Sequence, residues 1–108
     1  MRYKGTLGDV KEIEKELNKH TMALLKKDKE EKNNWFDTDK SLIVKKFDVL
    51  IPNNLFSKND YMFSLSLIFN ERDGEGSIRV KDKDIWWLLR TSHRILQIVA
   101  QMKPIRGG

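Results

Sequence analysis

From Tyr61 to Asn70 the chain alternates: Tyr61, Phe63, Leu65, Leu67 and Phe69 are interleaved with Met62, Ser64, Ser66, Ile68 and Asn70. A pleated strand sends successive side chains to opposite faces, so this run has one apolar face and one largely polar face. Strands of parallel sheets are buried on both sides and read as unbroken apolar runs, so the alternation points to an antiparallel sheet with one covered and one open face. Two further strands fit beside it. Residues 42–51 are β-branched and aromatic, stop at Pro52-Asn53-Asn54, and are expected to turn Ile43, Phe47, Val49 and Ile51 inward. The loop Glu71-Arg72-Asp73-Gly74 carries hairpin chemistry into residues 77–81, where Ile78 and Val80 oppose Ser77, Arg79 and Lys81.

Helical spacing flanks these strands. Thr6 and Asp9 fit a capping box, and Val10, Ile13, Leu17, Thr21 and Leu24 recur every three or four residues, which predicts a helix over 7–31. Its far side mixes lysines with carboxylates at pairing distance and reads as a solvated face. Trp35 and Phe36 then fall in a short connection. Asp82 is the expected N-cap of a second helix over 83–102, with Ile85, Leu88, Leu89, Leu96, Val99 and Met102 as its stripe and Pro104 beyond its end. Trp86, Trp87, Ile95 and Ile98 widen that stripe past what one sheet covers, so the first helix or a second copy is expected to pack there.

The expected architecture is α+β within a single domain of 108 residues: an N-terminal helix, an antiparallel sheet of three to four strands, and a long C-terminal helix on one sheet face. Cysteine is absent, which excludes disulfides, thiolate metal sites and a cysteine nucleophile. Apolar runs fall short of the ~20 residues a membrane span needs, and Met1-Arg2-Tyr3-Lys4-Gly5 lacks a signal-peptide core. Cytoplasmic residence without membrane contact is therefore expected.

Lys and Arg number 21 against 16 Asp and Glu, a formal charge of +5 that makes phosphate backbones plausible partners. If the three strands form one sheet, its open face gathers Lys46, with Lys45 beside it in sequence, and Met62, Ser64, Ser66, Arg79 and Lys81. Cations that follow phosphates, next to soft or flat groups on which bases lie, are what a single strand requires; Met62, Trp35, Phe36 and Tyr61, near a strand end, are the candidates for the bases. The same charges also suit a solvated, edge-protecting sheet face. Trp86, Trp87, Arg90, Arg94 and Ile98 form a candidate dimer or partner surface.

Catalytic and cofactor signals are weak. His20 and His93 stand outside any metal-ligand spacing, Glu71, Asp73 and Glu75 lack the calcium-loop pattern, and neither a phosphate loop nor a serine elbow occurs. No catalytic residue, metal or cofactor is expected.

The stretch from Gly74 to Arg90, a hairpin glycine, a short strand, an acidic cap and an apolar helix, resembles the end of the transcriptional positive cofactor 4 family of single-stranded DNA-binding domains. The resemblance covers the last third of the chain. It implies dimerisation through helices and a basic sheet that grips unpaired strands, with Arg79 and Lys81 as surface cations and Ile85, Leu88 and Leu89 packing the helix. The order helix, strands, helix is also similar to double-stranded RNA-binding domains, but Asp82 and Asp84 at the last helix start would repel the phosphates clamped there. The leading expectation is a non-enzymatic, homodimeric binder of single-stranded DNA or RNA, DNA before RNA. The alternative is a small protein-interaction module, an adaptor, inhibitor or complex subunit, acting through its C-terminal helix.

Overall fold

The computed structural model describes residues 1–19, 42–51 and 59–105, together with the backbone of 23–29. The chain runs β1 (Arg2–Thr6), α1 (Leu7–Lys19), β2 (Ala23–Lys29), β3 (Leu42–Ile51), β4 (Tyr61–Asn70), β5 (Glu75–Val80), α2 (Ile85–Thr91), α3 (His93–Gln101) and β6 (Lys103–Ile105). The fold is α+β, and among the described residues six strands lie in the order β2-β3-β4-β5-β1-β6, with every neighbouring pair antiparallel.

Alternation places the core. Phe47, Val49, Phe63, Leu65, Leu67, Phe69, Ile78 and Val80 face the helices and join Val10, Ile13, Leu17, Leu88, Ile95, Ile98, Val99 and Met102 in one buried cluster. The inward set expected for β3 and β4 is the observed one, with Ile43, Ile51 and Tyr61 packed at its margin. Helix α1 begins at the anticipated capping box: Asp9 N–H donates to Thr6 Oγ1 and Thr6 N–H to Asp9 Oδ2, both at 3.1 Å. Below its first turns Gly5 and Gly76 stand opposite each other on β1 and β5. A Cβ on Gly76 would lie 2.2 Å from Val10 Cγ2, so a side chain there would push the helix off the sheet. Gly74, at φ 68°, takes the left-handed position of the β4–β5 turn.

The structure corrects four expectations. The helix predicted over 7–31 ends at Lys19, and Ala23–Lys29 extends the sheet instead, with Ala23 opposite Val49 and Leu25 opposite Phe47. The free edge of β3 thereby gains its backbone partners, an outcome that helical spacing at Leu24 does not encode. Second, β1 and β6 enlarge the expected three to four strands to six, and β6 tolerates Pro104 because an edge strand needs no donor on its outer side. Third, the strand expected over 77–81 runs over Glu75–Val80, starting two residues earlier and leaving Lys81 outside it. Fourth, the helix predicted over 83–102 is two helices. Ser92 is extended between them (φ −151°, ψ 132°) and caps α3 by accepting from Ile95 N–H at 3.4 Å.

That break changes which residues are buried. After Ser92 the inward stripe is Ile95, Ile98, Val99 and Met102, while Leu96 is exposed. Asp82 is exposed and does not cap α2; Asp84 flanks that helix, nearly buried, and accepts a hydrogen bond from Tyr61 Oη. The apolar excess on the C-terminal helices is largely absorbed within the chain, because α1 packs against α3 and Ser92 Oγ donates to Glu16 Oε1 at 3.0 Å. Among the described residues no helix is long and apolar enough to cross a membrane.

Candidate nucleic-acid interface

The helices cover one side of the sheet, and the even-numbered residues of β3 and β4 emerge on the other. Ser66 on β4 stands opposite Lys46 on β3 and Arg79 on β5, and Arg79 stands opposite Arg2 on β1. Directly paired residues share a face, so Lys46, Ser66, Arg79 and Arg2 form one transverse row. With strands ~4.8 Å apart, this row crosses about 14 Å of sheet. Lys46 and Arg79 are exposed, as is Lys81 just past the end of β5. A groove of about 350 Å³ runs along the row, lined by Met1, Lys46, Ser64, Leu65, Ser66, Arg79, Val80 and Lys81.

A second row lies one pleat further along: Val44, Ile68, Ser77, Lys4 and Lys103 follow one another across five strands. Its centre is buried, Val44, Ile68 and Ser77 being 5–6% exposed, whereas Lys4 and Lys103 at its end are exposed. Carboxylates on this face are fewer than cations. Glu75 pairs with Lys4 at 3.0 Å, and Asp48 accepts from Ser64 Oγ at 2.5 Å, which commits that hydroxyl within the protein. The resulting surface is a band of cations beside a partly apolar hollow, on the face expected from alternation to be largely polar.

Lys46, Met62, Ser64, Ser66, Arg79 and Lys81 are thus placed on one side, with Met62 60% exposed near the start of β4. Lys45 is not. It faces the helices, where its Nζ pairs with Glu14 Oε2 at 2.6 Å and lies 5.5 Å from the Phe69 ring centre. Its odd position, shared with Ile43 and Phe47, already carries that signal. Trp35 and Phe36 lie outside the described residues. Arg2, Lys4 and Lys103 are additions that sequence reading missed; the alternation of Arg2, Lys4 and Thr6 with Tyr3 and Gly5 was the available clue.

The residues grouped as a dimer or partner surface separate. Ile98 is 4% exposed and belongs to the core, so it is removed from that surface. Arg94 Nε reaches Glu12 Oε1 of α1 at 3.5 Å, and the half-buried Trp87 stacks on Tyr61 with ring centres 5.1 Å apart. Trp86 and Arg90 remain at the surface, the guanidinium 4.4 Å from the indole centre. Among the described residues no group of three or more His, Asp or Glu side chains converges as a metal site. In the β4–β5 turn Asp73 instead accepts from Asn70 Nδ2 at 2.9 Å.

No protein-family model matches the chain, and no curated protein or solved structure is significantly similar to it.

Proposed function

We propose that this protein is a non-enzymatic binder of single-stranded nucleic acid, DNA in preference to RNA, acting through the open face of its sheet. The observation that carries this reading is the transverse row Lys46, Ser66, Arg79 and Arg2, extended by Lys81, Lys4 and Lys103. Cations spaced across adjacent strands meet successive phosphates, and the apolar surface alongside them suits bases that are free of a duplex. The resemblance of residues 74–90 to a single-stranded DNA-binding family points to the same side of the sheet and supplies the preference for DNA.

Anisotropy of a labelled single strand, a duplex and an RNA of equal length, each at low and physiological salt, tests the proposal. The single strand binds most tightly and weakens as salt rises, because neutralised phosphates release counterions. Reversing charge with Arg79→Glu and Lys81→Glu weakens binding at low salt by at least about tenfold while leaving the thermal unfolding midpoint close to wild type. Affinity indifferent to salt, or to those substitutions, rejects the proposal.

One observation favours a protein-interaction module as the second reading: Trp86, 51% exposed on α2, is a large apolar group at the surface of the helical layer. A homodimer in the cytoplasm would use the same group. Trp86→Ala then alters oligomeric state or partner capture without changing affinity for a single strand.

A further inference from the structure

We propose that the hollow beside the cation row receives one unstacked, carbonyl-bearing base of the bound strand. This rests on the single-strand reading above and specifies where a base goes. Leu42 of β3, Ile68 of β4 and Ile105 of β6 contribute the apolar part of a cavity of about 210 Å³ on the open face, whose polar lining is Arg2, Lys4, Asn70, Glu75 and Ser77. Pockets for drug-sized molecules begin near ~300 Å³, so this one suits a single ring system. Ile68 and Ser77 are each 5% exposed and form a packed floor, while the half-buried Leu42 and Ile105 present the apolar surface that a flat ring would cover.

A second observation defines the edge of the occupant. Arg2 Nε is buried and has no hydrogen-bond partner. A donor withheld from water is costly until an acceptor reaches it, and the exocyclic carbonyl of thymine, uracil, cytosine or guanine is such an acceptor. Adenine has no carbonyl. Arg2 also stands opposite Arg79 in the cation row, so a base seated here keeps its own backbone beside the phosphate-binding side chains. Lys4 at the rim is matched by Glu75 at 3.0 Å, so the uncompensated charge beside the hollow is that of Arg2. A partly apolar hollow, one unmet donor and the neighbouring cation row together match a base still attached to its anionic chain.

Three oligomers of equal length separate the possibilities: oligothymidylate, oligoadenylate and an abasic chain carrying phosphates alone. Wild-type protein binds oligothymidylate about tenfold more tightly than the abasic chain, the scale set by one well-seated base. Ile105→Trp, which fills the hollow from its edge strand, brings oligothymidylate down to the abasic affinity and leaves the abasic affinity unchanged. Arg2→Lys keeps the charge but removes the planar donor, and it narrows the preference for oligothymidylate over oligoadenylate. If wild type holds the abasic chain as tightly as oligothymidylate, or if both variants keep the wild-type ratios, the hollow takes no base while the phosphate-binding reading stands. If no oligomer binds in a salt-dependent way, the single-strand reading fails and the base site with it.

Discussion

Gly76 and Val10 show how little space separates the first helix from the sheet. A methyl group at position 76 meets Val10 Cγ2 at 2.2 Å and Thr6 O at 3.1 Å, and of these only the valine can be shortened. Gly76→Ala is therefore expected to destabilise by about 1–3 kcal/mol, the usual cost of overpacking, and Val10→Ala in the same chain to recover part of it. Urea unfolding of the two single variants and the double variant checks this; strictly additive losses contradict it. Tyr61 offers a second test. Its hydroxyl donates to the buried Asp84, and that bond, desolvation and the carboxylate charge raise the phenol above its ordinary value near 10. A raised folded-state pKa means the contribution is complete below about pH 10 and is lost as pH climbs through the higher folded value. Tyr61→Phe costs about 1–3 kcal/mol at neutral pH, and its gap from wild type narrows in alkali. A gap that widens with pH contradicts the assignment.

Among the secondary elements, Ser92 decides how the C-terminal helical segment is laid on the core. Its hydroxyl caps α3 and also donates to Glu16 on α1, so Ser92→Ala is expected to cost about 1–2 kcal/mol. The loss is read as a lower unfolding midpoint; a stability equal to wild type removes Ser92 from this role. The same residue explains why the second helix was only partly legible in the sequence. Leu96 continues the spacing of Leu88 and Leu89, but the extended residue at 92 resets the phase and buries Ile95 and Ile98 instead. Strands β3 and β4 were legible to their ends because a side-chain period of two leaves one solution for which face is buried. Strands β1, β2 and β6 were not, since pairing with a sheet edge draws on backbone groups that every residue carries. Lys46, Met62, Ser64, Ser66, Arg79 and Lys81 follow from alternation within their own strands, while Arg2, Lys4 and Lys103 are brought beside them by long-range pairing.

At the scale of the whole molecule, the sheet divides two kinds of surface. The helical side spends its apolar residues on one core, and truncating that core is a stability experiment: Ile98→Ala is expected to cost about 2–5 kcal/mol and to leave oligomeric state alone. Sedimentation of Trp86→Ala and Ile98→Ala in parallel distinguishes the surface residue from the buried one. The open side concentrates charge. Its transverse row is assembled from β1 at the start of the chain and from β3, β4 and β5 further along it, so the proposed function depends on the paired sheet rather than on any contiguous segment.

The most direct test of that account is the salt dependence of single-strand affinity in wild type and in Arg79→Glu/Lys81→Glu. Four neutralised phosphates give a slope of log affinity against log salt of about −3, and removing two of the cations flattens it by at least about 1.4. A wild-type slope near zero, or the same slope in both proteins, contradicts a phosphate-binding role for the cation row.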